Sequence, residues 1–232
     1  MEHFESCIIC GKPLVYYPET KEMECEICHQ KFISHVSCED GHYICDSCHS
    51  EKAIQIVYLK CLGQNSKNPI VILRYLMSQG AVHMHGPEHH ILVAASLLTA
   101  YYHAGGNIDL KESIYKAIER GKQVPGGACG FFGSCGAAVS SGIFISIITS
   151  STPLSKKEWQ LSNLMTSQSL EKIALHGGPR CCKRNSYLAI LTAIEFVEKN
   201  LDIKMDKPDS IVCIHSQYNK QCLKNDCPFY KA

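Results

Sequence analysis

Beyond residue 50 the apolar positions repeat at helical spacing. In 49–62, Ile54, Val57, Tyr58 and Cys61 fall on one face, where Cys61 reads as plain core. Asn68-Pro69 sets a cap and a proline at the first turn, opening a helix over 70–77. Gly86-Pro87 repeats the device for a helix running to His103, closed by Gly105-Gly106. Asp109, with Glu112 three residues on, resembles a capping box for a helix to Arg120. Ser155 and Glu158 do the same for a helix reaching about Leu175. Asn185 is placed to cap the last long helix, whose Leu188, Ala189, Leu191, Ile194, Phe196 and Val197 form a broad apolar stripe. Strand signals across 51–202 are weak. The pattern predicts a mainly α chain: a helical bundle-like central domain over 51–202, an N-terminal zinc-binding module over 1–50 and a short Cys-rich tail over 203–232.

One apolar run has an unusual preface. No charged residue occurs between Lys122 and Lys156, and 139–149 reads as a buried helix. Before it stands Pro-Gly-Gly-Ala-Cys-Gly-Phe-Phe-Gly-Ser-Cys-Gly-Ala-Ala (125–138), two cysteines among five glycines. The purely apolar pieces here and in 91–102 are shorter than the ~20 residues a membrane-spanning helix needs, so both are core helices and no membrane span is expected. Glycine admits close backbone approach and positive φ, and a helix start offers unpaired N–H groups. A cysteine there has its thiolate favoured, for binding metal or attacking an electrophile.

The N-terminal residues have a different rhythm. Cys7-x2-Cys10, Cys25-x2-Cys28 and Cys45-x2-Cys48 are joined by His35-x2-Cys38 at identical spacing. Two intervening residues let a tight turn aim both ligands at one tetrahedral ion, so four pairs suffice for two closed zinc sites. A piece so short of aliphatics needs metal for its folding energy. Spacing does not decide whether the pairs interleave or follow in sequence, and His42 or His49 could replace His35 or Cys38. The module resembles cross-braced zinc domains of the kind that includes ubiquitin ligases. Its lone histidine in the fifth ligand place departs from that enzyme family, so the resemblance implies a docking module and not ligase activity.

Two more stretches resemble the glycine-rich one in kind. His83-Met84-His85-Gly86-Pro87-Glu88-His89-His90 and His176-Gly177-Gly178-Pro179-Arg180-Cys181-Cys182-Lys183-Arg184 each carry glycine and precede a helix. If the three helix starts converge, their dipoles create an electropositive pocket suited to an anionic cluster, a sulfide or an anionic substrate. Cys129, Cys135 and one of Cys181 or Cys182 are the candidate sulfur ligands or nucleophiles, since neighbours on a helix diverge by ~100°. Gly127, Gly130 and Gly178 let backbone approach the cofactor. His85, Glu88 or His89 would move protons, and Arg180 would hold an anion. In the tail, Cys213, Cys222 and Cys227 suit a zinc ion completed by His215, or an iron–sulfur cluster with one site open or ligated from elsewhere.

Bulk properties narrow the classes. With 232 residues the chain holds one ordinary core plus small appendages. A net charge of +1, a mildly basic tail and few stacking aromatics argue against nucleic acid. The outlier is 15 cysteines beside 12 histidines. Residues 1–6 lack the features of a signal peptide, which implies a cytoplasmic setting where thiols bind metal or react.

The three motifs, HGPEHH, GGACGFFGSCGAA and GGPRCCKR, resemble an uncharacterised cysteine/histidine-rich family of methanogens and other anaerobes, found alone or joined to radical-SAM or methyltransferase domains. The Cys-Gly-Ala-Ala portion is also similar to cysteine-motif redox proteins of anaerobes. The resemblance implies metal or sulfur chemistry in an anaerobic cytoplasm without assigning a reaction. No radical-SAM cysteine triad and no Gly-rich nucleotide fingerprint after a strand occurs. The leading reading is a sulfur-transfer or redox metalloenzyme with a small anionic or sulfur-containing substrate. The rival is a non-catalytic zinc adaptor recruiting a methyltransferase, a radical-SAM protein or RNA. A homo-oligomer is compatible with both.

Overall fold

A hairpin lies near the start of the described residues, in a region where the sequence pattern announced only ligands. The computed structural model describes residues 7–231; the stretch read as lacking a signal peptide, 1–6, lies outside it. Strands β1 (Leu14–Glu24) and β2 (Lys31–Cys38) pair antiparallel from Leu14 opposite Cys38 to Glu24 opposite Lys31, with an irregularity between Tyr16 and Lys21. The pairing brings the Cys7–Cys10 turn beside the end of β2. The Cys25–Cys28 turn, at the far end of the hairpin, meets the returning chain through a bridge between Cys25 and Tyr43.

Eight helices follow: α1 (Asp46–Leu62), α2 (Pro69–Met77), α3 (His89–His103), α4 (Leu110–Gly121), α5 (Ala128–Phe131), α6 (Gly136–Ile148), α7 (Lys157–Ala174) and α8 (Cys182–Leu201). The tail carries two single-turn 3₁₀ helices, Ser216–Tyr218 and Lys224–Asp226. The chain is thus mainly α, as its periodicity predicts. Among the described residues no helix is long and apolar enough to cross a membrane.

Two predicted caps hold. Asn68 Oδ1 accepts from the Ile70 and Val71 N–H groups at 3.0 and 3.3 Å, and Asp109 Oδ1 accepts from Glu112 N at 2.8 Å. Two do not. Ser155 Oγ accepts from Thr152 N at 3.0 Å, inside the preceding turn, and α7 starts after Lys156. Asn185 lies within the first turn of α8, because Cys181 is the cap and its sulfur accepts from Arg184 N at 3.4 Å. A cysteine capping a helix escaped the usual Ser/Thr/Asp/Asn signature.

The uncharged run forms the centre of the bundle. Helix α6 packs against α3, α4, α7 and α8. Ser140 Oγ accepts from Ala94 N of α3 at 3.0 Å, and Ser141 Oγ meets Ser169 Oγ of α7 at 2.9 Å. These hydroxyls explain how a serine-bearing helix is buried without orphaned polar groups. At Gly142 an added Cβ would lie 1.9 Å from Thr166 Oγ1, so only glycine admits α7 so close. The core gathers Ile70, Leu73, Leu92, Leu97, Phe144 and Ile190, all essentially buried, and Cys61 joins it as expected.

Candidate metal and thiol sites

Two tetrahedral sets form at the ends of the hairpin. Cys7, Cys10, Cys38 and His42 bring their ligand atoms within 4.8 Å of one another, and so do Cys25, Cys28, Cys45 and Cys48. Cys10 and Cys38 sulfurs are 3.8 Å apart, Cys28 and Cys45 3.9 Å, and Cys38 Sγ is 3.4 Å from His42 Nδ1. A tetrahedron with metal–sulfur bonds of 2.3 Å has edges of about 3.8 Å, so the spacing suits one ion per set. The pairs interleave, a consequence of the antiparallel register. Burial alone would raise the Cys25 thiol, but N–H groups of Cys45, Cys28 and Ile27 converge on its sulfur and bring it down to about 6. In the same way burial opposes, and the N–H groups of Asp40 and His42 outweigh it, bringing Cys38 down to about 7. Thiolates so favoured are ready metal ligands.

The expected ligand His35 is corrected to His42. His35 Nδ1 meets the Tyr17 carbonyl at 3.1 Å, and its ring stacks on Phe131 with centroids 4.0 Å apart. It therefore fastens the hairpin to the glycine-rich stretch. Two further contacts join neighbouring segments: Arg180 of the third entrance lies over the Tyr16 ring of β1 at 5.2 Å, and the Gly126 N–H donates to Asp46 Oδ2 at the start of α1 at 2.6 Å. The signal that could have selected His42 was the preceding Gly41, whose φ of +86° turns the chain back after Cys38.

The three helix entrances converge. Cys182 N donates to His85 Nδ1 at 3.4 Å and Lys183 Nζ to the His83 carbonyl at 2.8 Å, joining the first and third. Asn185 Nδ2 donates to Cys135 Sγ at 3.4 Å, joining the second and third. Between the first and second, His90 Nδ1 meets the Val124 carbonyl at 2.9 Å, and a Cβ on Gly136 would sit 2.0 Å from the His90 ring. A cavity of about 330 Å³ opens there, lined by His89, Cys129, Cys135, Arg180, Cys182 and Asn185, with Gly127 at its wall. Gly130 and Gly178 are not among its lining residues.

Burial governs the chemistry of this cavity. It pushes Cys182 up to about 12 and raises Cys129, so both thiols hold their protons until a cation approaches. It also holds His89 well below the ordinary imidazole range. Neutral His89 has Nδ1 on the Gly86 carbonyl at 3.2 Å, while Nε2, with no hydrogen-bond partner among the described residues, keeps a lone pair.

Cys181 does not face this cavity. It lines a second one of about 390 Å³ with Cys213, His215, Cys222 and Cys227, walled by Tyr187 and Phe229. The Asn219 amide reaches its sulfur at 3.5 Å. Backbone N–H groups of His215 and Lys224 reach the Cys213 and Cys222 sulfurs, each at 3.4 Å. These four thiols are not gathered within one ion's reach as the hairpin sets are. Helix geometry predicts only one of the two adjacent cysteines at a site; the turn before α8 instead sends them to separate cavities.

Glu88 stands apart from both cavities. Its carboxylate is completely buried, and Oε1 accepts from His83 N at 2.9 Å. Burial opposes its charge, yet the neighbouring His49 and His83 imidazoles hold it well below the ordinary carboxylate range. The ligand atoms of His49, His83 and Glu88 lie within 4.8 Å of one another. The sequence places His83 in the first entrance and His49 only as an alternative hairpin ligand; the two meet because α1 packs beside the first entrance.

Fold and clusters together define a cysteine-rich, mainly helical protein whose Cys/His sets can hold metal ions. The chain belongs to a family of unknown function (DUF5714), whose model matches residues 57–230. That range includes the residues of both cavities and leaves the two hairpin sets outside it. No curated protein and no solved structure matches the chain.

Proposed function

We propose that this protein is a redox or sulfur-transfer metalloprotein with two zinc ions in the hairpin module. In this reading Cys181, Cys213, Cys222 and Cys227 hold an iron–sulfur cluster, and the cavity of Cys129, Cys135 and Cys182 binds a small anionic or sulfur-bearing substrate. The observation that carries it is the division at the start of α8: adjacent Cys181 and Cys182 open into different cavities, each lined by further thiols.

The second cavity fits a cluster. Its four thiols spread wider than a single tetrahedral ion requires, and N–H groups reach three of the sulfurs. Such hydrogen bonds, with apolar walls, tune cluster potential. A bound cluster would supply one-electron chemistry. The chain's own residues would do the rest. The converging starts of α6 and α8, with Arg180, attract an anion. Asn185 orients Cys135, and the His89 Nε2 lone pair accepts a hydrogen bond from substrate or thiol.

Anaerobic purification with zinc, iron and sulfide analysis tests this. The expected protein is coloured and contains iron and sulfide, both lost in Cys213→Ser and Cys227→Ser. In Cys129→Ser and Cys182→Ser the cluster stays while binding of sulfide or a thiol substrate disappears. A colourless chain carrying zinc alone at the tail would overturn the cluster assignment.

A further inference from the structure

We infer that His49, His83 and Glu88 form a third metal site, a two-histidine, one-carboxylate set for a divalent first-row transition ion, where the first turn of α1 meets the loop before α3. The inference is independent of the cluster reading, since it uses none of the thiols.

The geometry is that of groups facing one another without touching. His49 Nδ1 is 3.6 Å from Glu88 Oε2, and His83 Nδ1 is 3.5 Å from Glu88 Oε1. Such separations exceed the usual hydrogen-bond range. They approach the edge of about 3.3 Å that nitrogen and oxygen ligands span around an ion at 2.0–2.1 Å. His49 Nδ1, His83 Nδ1 and Glu88 Oε2 are all buried and have no hydrogen-bond partner among the described residues. Leaving one buried polar atom unpaired costs about 1–3 kcal/mol, so three converging on one point indicate a shared partner.

The surroundings preserve this space. A Cβ on Gly86 would fall 2.1 Å from Glu88 Oε2 and 2.7 Å from Oε1, so the carboxylate occupies its position only because residue 86 is glycine. The His49 and His83 rings lie 4.4 Å apart and tilted by 48°, which converges their nitrogens without stacking the rings. Beyond the two histidines, His89 Nδ1 lies 3.8 Å from Glu88 Oε1. Lys183 Nζ is engaged by the His83 carbonyl, and His89 Nδ1 by the Gly86 carbonyl.

Two imidazoles and one carboxylate suit zinc, iron(II) or cobalt(II) in preference to calcium or magnesium. Three protein ligands leave at least one coordination position for water or substrate, as in catalytic rather than structural sites. Because Glu88 and His89 are consecutive, the ion would sit beside the thiol cavity that His89 lines. Because His49 follows Cys48, it would also tie the hairpin module to the bundle.

Cobalt(II) is the probe. The full chain, with its thiolate sites filled and loosely held metal removed by a mild chelator, is titrated calorimetrically and followed by visible absorption. One equivalent binds and raises the melting temperature, with weak d–d bands and no sulfur-to-cobalt charge-transfer band. Glu88→Gln, which keeps the side-chain shape, and His49→Ala each weaken binding by about 100-fold or more, with circular dichroism reporting folding. The wild-type titration needs no variant: absence of cobalt binding, or binding only with a thiolate charge-transfer band, overturns the site. Equal binding in wild type, Glu88→Gln and His49→Ala does so too.

Discussion

Between Cys7 and Cys48 the buried side chains are Cys7, Cys25, Cys38, Cys45 and Ser37, and none is aliphatic. Helix α3 alone buries Ile91, Leu92, Val93, Leu97 and Leu98. The hairpin leaves Ile8, Ile9, Ile27 and Ile33 exposed, so apolar burial contributes little to its order, and the tetrahedral sets must supply that energy. The bundle does the reverse. Its core is mostly aliphatic, and its cysteines other than Cys61 lie at helix entrances and in the tail, where most of them line the two cavities. The same residue type is therefore gathered into tetrahedral sets in one region and spread along cavity walls in the other.

The largest effect that could break this contrast comes from Cys28→Ser. Losing a metal ion held there would remove on the order of 10 kcal/mol of apparent binding energy. The variant should expose 7–48 to rapid proteolysis while the far-ultraviolet helical signal of the bundle persists. Simultaneous collapse of that signal would mean the two regions fold as one.

A smaller effect tests how tightly the helix entrances meet. Gly136→Ala drives a methyl into the His90 ring, and overpacking of this kind costs about 1–3 kcal/mol. Urea unfolding should register that loss with the metal content of the hairpin unchanged. A change within about 0.5 kcal/mol, the size of an ordinary surface substitution, would imply a looser junction.

The smallest concerns a cysteine in the bundle that is only core. Burial lifts the Cys61 thiol from 9.0 to about 12, so the folded state keeps a proton that the unfolded chain releases above pH 9. The stabilisation is complete below that pH and drains away as pH rises toward 12. By pH 10 the loss is about 1.4 kcal/mol. Cys61→Ala should decline less steeply than wild type between pH 8 and 10 in denaturant midpoints. Parallel curves would show that Cys61 ionises as freely folded as unfolded.

Much of this was legible because the signals are local. Helical spacing, the Asn68 and Asp109 caps and the Cys-x2-Cys pairs each depend on residues within one or two turns. The glycine-bearing helix starts could also be read as related, and Cys129, Cys135, Cys182, His89 and Arg180 do share a cavity. His35 misled because equal spacing is not equal placement: its ring is drawn away by Phe131, distant in sequence, and His42 takes its place after the Gly41 turn. The Ser155 and Asn185 caps failed for a similar reason, since nearer turn or cross-helix partners compete for their side chains.

By itself the sequence determined the helix count in outline, the existence of metal-ligand pairs and the three chemically loaded helix starts, all consequences of short-range spacing. Only the tertiary structure decided how those pieces combine. The antiparallel hairpin interleaves the ligand pairs, the turn before α8 parts Cys181 from Cys182, and the packing of α1 brings His49 to His83 and Glu88. Each of these joins residues far apart along the chain, and contacts of that kind are fixed by the register of strands and the crossing of helices, which no local pattern of residues encodes.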